Sequence, residues 1–276
     1  MFELSETNSV RNKILLILLL SLAIGACAGK VSNAVNDVPA NAASSFPTPA
    51  STERTVTIDS PDGVKLVGTL FESAKPTSPA VLLLHQWQND RHSYDEFAKR
   101  MQVKGLTVLA IDGRGFGEST KRGDGSAIAA GRTDADVRGM LGDVDAGVGF
   151  LSKQKNVDAN RIGVVGASYG SSLAIIYAAD HPDIRAAALL SPGLNYFGNM
   201  PTEPAVKKYG ERPLLLVASE DDKESADAVR QLKKIGASEK YQSQIYEHGG
   251  HGTNIFQANV GLDNALEQFL IASLQK

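Results

Sequence analysis

The sequence predicts an α/β fold: a mostly parallel, twisted sheet of about eight strands, with helices on both faces and a hairpin at its start. Three observations carry this expectation. Short, nearly continuous apolar runs recur along the chain: "AVLLLH" (80–85), "LTVLAID" (106–112), "RIGVVG" (161–166), "AAALLS" (186–191) and "PLLLVAS" (213–219). Such runs mark strands buried on both faces. Segments of helical length separate them, and the residues capable of chemistry fall just past their ends, where parallel sheets gather their sites.

The elements follow in order. From residue 54, "RTVTIDSPDGVKLVGTLFES" reads as two strands joined at Asp62-Gly63, a hairpin turn signal. The apolar strands come next, with a sixth run, "QSQIYE" (242–247), after them. Helices are expected near 93–103, 135–153, 169–180, 224–235 and 255–274, with His181-Pro182 stopping the third. Between Ser191 and Pro213 there is room for a short cap. Its Leu194, Tyr196, Phe197 and Met200 either wall a pocket or pack on the core.

The first residues have a different character. Arg11 and Lys13 precede a continuous apolar run, Ile14 to Ile24, too short to span a bilayer comfortably. This is the layout of a signal peptide, residues 1–26. The stretch "IGAC", Ile24 to Cys27, resembles the lipobox of bacterial lipoproteins. That resemblance implies lipidation of Cys27 and a lipid-anchored protein of the bacterial cell envelope, facing away from the cytosol. Cys27 is the sole cysteine, so no intrachain disulfide forms. Residues 27–53 are rich in Ala, Ser, Asn and Pro without apolar period, and read as a flexible tether. The folded domain is expected over 54–276.

A net charge of −3 and 6% aromatic residues argue against nucleic-acid binding. Histidines and acids lack metal-ligand spacing, and no phosphate-cradling glycine loop occurs, so no metal or cofactor is expected.

The chemistry centres on "GVVGASYGSS" (163–172). Within Gly166-Ala167-Ser168-Tyr169-Gly170 one serine stands between a β run and a helical segment, with small residues where bulk would collide. At a helix start, backbone N–H groups favour developing negative charge. A serine hydroxyl needs a base and a carboxylate to orient that base. His251, in "EHGGHGTNIF", follows the last strand, with His248 as competitor. Asp222 closes "PLLLVASEDD", with Asp221 beside it. The order Ser168, Asp222, His251 is that of one known hydrolase class.

From about Thr55 to Lys276 the chain resembles an α/β-hydrolase of the dienelactone-hydrolase-like or small serine esterase type. "LLLHQW" stands where the family carries His-Gly-x, and "DGRGFGEST" (112–120) is similar to its loop after strand four. The resemblance implies Ser168 as nucleophile, Asp222 as triad acid and His251 as base. It also implies an oxyanion hole from the Trp87 and Tyr169 backbone amides. Two departures stand out. Gln86 replaces the usual glycine, which predicts a differently shaped oxyanion loop. Serine also replaces the cysteine nucleophile of dienelactone hydrolases proper, which favours esterase chemistry. His85 is expected to make a structural bond, His92 and His181 to lie at the surface or a helix end, and Asp112 and Arg114 to pin their loop. Asp143 and Asp145 are expected on a solvated helix face.

The expected activity is hydrolysis of small or medium carboxylic esters through an acyl-enzyme. An acyltransferase or thioesterase on the same triad, and a non-catalytic scaffold serving as a surface binding protein, are the alternatives.

Overall fold

The computed structural model describes residues 52–235 and 238–275. The signal-peptide stretch, Cys27 and the tether as far as residue 51 lie outside the described residues. The chain first pairs in an antiparallel hairpin, β1 (Thr52–Asp59) and β2 (Val64–Glu72). Its loop turns through Gly63, where Gly63 N donates to Ser60 O and Ser60 N to Val64 O. β1 begins two residues inside the stretch read as tether, because Thr52 and Glu53 pair with Glu72 and Phe71. Gln102 adds side-chain bonds to the Thr52 and Glu72 carbonyls.

Parallel strands follow: β3 (Ser78–Leu84), β4 (Thr107–Ile111), β6 (Val157–Ala167), β7 (Ile184–Leu190), β10 (Leu214–Ser219) and β11 (Tyr241–Tyr246). Their order across the sheet is β1-β2-β4-β3-β6-β7-β10-β11. A ninth strand, β5 (Lys121–Arg122), pairs with β2. The sheet thus has one strand more than the apolar runs predict, because β5 is two polar residues at an edge. Successive residues of a strand face opposite sides. Leu82 and Leu84 therefore pack against α2 (Asp134–Ser152) and α3 (Tyr169–Asp180), together with α4 (Thr202–Tyr209) and α5 (Lys223–Ile235). Val81 and Leu83 pack under α1 (Asp95–Val103) and α7 (Leu262–Leu274).

The cap is small. A hairpin of β8 (Asn195–Tyr196) and β9 (Met200–Pro201) leads into α4. Met200 is fully buried in the core, whereas Leu194, Tyr196 and Phe197 are half-buried against it. The single helix expected over 255–274 is two, α6 (Asn254–Gln257) and α7. Between them Asn259 and Gly261 adopt left-handed backbone, φ 54° and 92°, which ends a helix. Among the described residues no helix is long and apolar enough to cross a membrane.

One reading needs correcting. Asp143 does not lie on a solvated face: it is 1% exposed. It falls on the same stripe of α2 as the buried Met140, Val144 and Val148. Its carboxylate accepts from Arg114 Nε at 2.8 Å and Nη2 at 2.7 Å, and from Ser60 Oγ at 2.7 Å. Arg114 also reaches Asp62 in the first hairpin loop. The exposed Asp145 instead accepts from Tyr177. Removing one partner of a buried ion pair strands the other charge. Asp143→Ala is therefore expected to destabilise by about 3 kcal/mol or more, and Asp145→Ala by about 1 kcal/mol, measured by urea unfolding.

Candidate active site

The centre of the site is the crossing from β6 to α3. Ser168 sits between them with φ 54° and ψ −124°, outside the regions a serine ordinarily adopts. The turn is tight enough that a Cβ on Gly166 would strike the Gly170 carbonyl, and one on Gly170 would strike the Leu84 and His85 carbonyls. Ser168 N donates to Leu190 O at 2.8 Å, and Ser171 N donates to Ser168 O at 2.8 Å. The side chain is left as the one part of Ser168 free to face the end of the sheet, and the residue is 6% exposed.

His251 meets it there. Its Nε2 lies 2.7 Å from Ser168 Oγ, and its Nδ1 lies 2.7 Å from Asp222 Oδ2. With the proton on Nδ1 donated to the carboxylate, Nε2 is left to accept from the serine hydroxyl. Burial raises the Asp222 pKa, but hydrogen bonds from His251, Ser225 and Ser191 outweigh it and hold the carboxyl below its usual range. The three residues picked from the sequence are thus brought together in one chain of hydrogen bonds.

The competitors take other places. His248 is exposed. Asp221 accepts from Gly249 N and Gly250 N, each at 3.1 Å, and so holds the loop that carries His251. Three more groups hold the same loop. Ser219 Oγ donates to Gly250 O, Gly252 N donates to Ser191 Oγ, and Thr253 N donates to Gln86 Oε1 at 2.7 Å. A Cβ at residue 252 would collide with that Gln86 oxygen. Sequence reasoning missed Ser191, Ser219 and this use of Gln86. The available signal was a hydroxyl closing each of two apolar strands at the end where the site lies.

His85 is structural. Its Nδ1 lies 2.7 Å from Gln86 O and its Nε2 accepts from Gly113 N at 2.9 Å, while burial lowers its pKa and keeps the ring neutral. Asp112 accepts from Arg91 and from Glu118 N, pinning the loop after β4. His92 is exposed, and His181 caps α3, stacked on Tyr177. Among the described residues the Trp87 and Tyr169 amides donate to no protein acceptor. The Trp87 ring is packed edge-to-face by Phe116, Tyr169 and Phe197, with centroids 4.8–5.3 Å away. No group of three or more His, Cys, Asp or Glu among the described residues is placed to hold a metal.

Comparison with known proteins agrees with this layout. Residues 75–211 match the family described as "Serine aminopeptidase, S33". The structure superposes on the Pyrococcus furiosus esterase Pf2001 with a TM-score of 0.65 at 19% identity, covering 81% of this chain and 94% of that one. The chain has the α/β-hydrolase fold. A dienelactone hydrolase from Anabaena variabilis is similar to this α/β-hydrolase with a TM-score of 0.61 at 16% identity, over 82% of this chain and 97% of that one. An uncharacterized protein of Mycobacterium tuberculosis is 27% identical over 235 residues, 79% of each chain.

The Asp221 clamp carries a pH signature. The Gly249 amide, then the Gly250 amide, holds its carboxyl below the usual range. A carboxylate with a depressed folded-state pKa contributes stability above its unfolded value and loses it as pH falls through the folded one. Asp221→Asn is therefore expected to melt below wild type at pH 7. The gap should close as pH is lowered beneath about 4, followed by thermal melts across pH 7 to 3.

Proposed function

We propose that this α/β-hydrolase is a serine carboxylesterase acting on small or medium esters through an acyl-enzyme. The observation that carries the reading is the unbroken hydrogen-bond chain Ser168–His251–Asp222, each link 2.7 Å. His251 takes the Ser168 proton as Oγ attacks the ester carbonyl, and Asp222 stabilises the imidazolium that forms. The Trp87 and Tyr169 amides stabilise the tetrahedral oxyanion, an effect of about 3 kcal/mol per donor. His251 then protonates the departing alcohol. A water deprotonated by the same histidine attacks the acyl-enzyme, and His251 returns that proton to Ser168 Oγ as the acyl–oxygen bond breaks and the acid leaves. Each proton and charge in this sequence is handled by the chain's own groups, so no cofactor is required.

The test is labelling with a fluorophosphonate probe, run beside hydrolysis of short p-nitrophenyl esters and of aminoacyl p-nitroanilides. Wild type should label and cleave the esters faster than the anilides. Ser168→Ala and His251→Ala should abolish labelling, and Asp222→Asn should lower kcat by about 10³–10⁴. A folded wild type that does not label, or labelling that survives Ser168→Ala, would rule the reading out. Faster anilide cleavage would move the substrate to peptides.

We also propose that Cys27 is lipidated and anchors the protein to a bacterial envelope membrane. Thr52 opens β1 beside Glu72, at the end of the sheet away from Ser168. A tether leaving there suits an enzyme that must keep its site clear of the bilayer. Mass spectrometry of membrane fractions should find diacylglycerol on Cys27 and no residue before it. An unmodified Cys27 in those fractions would remove the claim.

A further inference from the structure

Arg132 lies exposed in the loop before α2. Its guanidinium carbon is 4.8 Å from the Trp87 ring centroid and 4.9 Å from that of Phe197. Two aromatic faces hold a planar cation in place without occupying its N–H edges. The backbone beneath it is fixed as well. Asn199 Nδ2 donates to Arg132 O at 3.0 Å and to Asp134 Oδ1 at 2.9 Å.

Arg91, Arg100 and Arg114 each take a carboxylate partner. Arg132 takes none among the described residues, and its guanidinium makes no hydrogen bond to them. The acids nearest in sequence are committed elsewhere. Asp134 is held by Asn199, and Asp136 closes the helix-capping box with Thr133. The cation is positioned by two rings, and none of its N–H groups is used by an acceptor among the described residues.

A second observation points to the same spot. Phe197 has φ 58°, a left-handed conformation that is costly for a bulky side chain. The β8–β9 turn imposes it, with Gly198 N donating to Asn195 O and Asn199 N to Tyr196 O. The strain keeps the Phe197 ring against Trp87 and under Arg132. Strain of this kind clusters at ligand clamps. The amide of the same Trp87 is the proposed oxyanion donor, so the Arg132 cation and that donor are carried by one residue, the cation against its ring.

We propose that Arg132 is an anion-recognition subsite, and that the preferred esters carry a carboxylate a few bonds from the ester group. The inference rests on the esterase reading of Ser168. The guanidinium fork matches a carboxylate in bidentate fashion, and such charge-assisted pairs are the strong ones. The carboxylate can belong to the acyl or to the alcohol half of the ester, and two substrate pairs separate these.

One pair is mono-p-nitrophenyl adipate against its methyl ester. The other is 4-acetoxybenzoate against methyl 4-acetoxybenzoate. In wild type kcat/KM should favour the anionic member of one pair by about tenfold, chiefly through KM, and raised salt should shrink the preference. Arg132→Gln should abolish that ratio, and Arg132→Lys should restore part of it, since an ammonium keeps the charge but not the fork. Trp87 is the only tryptophan, so binding has a readout independent of turnover. Adipate or benzoate should shift its fluorescence in wild type and not in Arg132→Gln. Equal ratios in wild type and Arg132→Gln for both pairs would overturn the proposal while leaving the esterase intact. If no ester is cleaved, the esterase reading fails by itself, and the fluorescence titration decides the subsite.

Discussion

Everything at the site depends on holding Ser168 in a backbone conformation it would not choose. A residue kept outside the common regions costs about 1–3 kcal/mol, and it persists only where its surroundings over-determine it. Here β6 supplies one side, in the middle of the sheet between β3 and β7. α3 supplies the other, packed so close that Gly166 and Gly170 have no room for a side chain. The cost is offset by a core in which every residue of β3, β4 and β10 is buried. A serine on a freely moving loop would have no such constraint and no fixed direction for its hydroxyl.

The base is held differently. His251 lies on a loop, with its side chain partly exposed, and it has no helix or strand of its own. Its position is fixed by four groups projecting from the ends of three strands: Gln86 after β3, Ser191 after β7, Ser219 at the end of β10 and Asp221 just beyond it. Gln86 has the most consequence of these. It immediately precedes Trp87, whose amide is proposed to meet the oxyanion, and its side chain reaches across to Thr253, two residues past the base. The Trp87 loop and the His251 loop are therefore joined by a side chain that a glycine at 86 would lack. The departure seen in the sequence changes how the loops are fastened and leaves the Ser168–His251–Asp222 chain intact.

Much of this was legible beforehand, for reasons that can be stated. The parallel strands announced themselves because burial on both faces leaves only apolar residues. Ser168 and Asp222 stood out because each falls just past such a run, and His251 because it follows the last strand. What escaped notice depended on pairing at a distance. β5 is Lys121-Arg122, with no apolar signal, and exists because β2 offers it an edge. The break between α6 and α7 follows from Asn259, a residue whose left-handed backbone no apolar period reveals. Asp143 looked like a solvated acid because its partners, Arg114 and Ser60, come from elements far away in sequence. An acid on the buried stripe of an amphipathic helix could have been flagged from spacing alone. The identity of its counter-ion could not.

The same distinction bears on how such a site acquires specificity. Ser168, Asp222 and the groups that fasten the His251 loop come from strand ends and are locked to the sheet. The cap comprises two two-residue strands and α4, and its turn meets the rest of the protein through Asn199 on the Arg132 loop and Phe197 on Trp87. The same turn also carries Tyr196, whose hydroxyl donates to the Ser191 carbonyl at 3.0 Å, so the cap is tied to the strand end that holds the His251 loop. On the proposed reading, the strain at Phe197 serves substrate choice and the strain at Ser168 serves the chemistry. The two meet at Trp87 and at Tyr169, the residue after Ser168, whose rings both lie against Phe197.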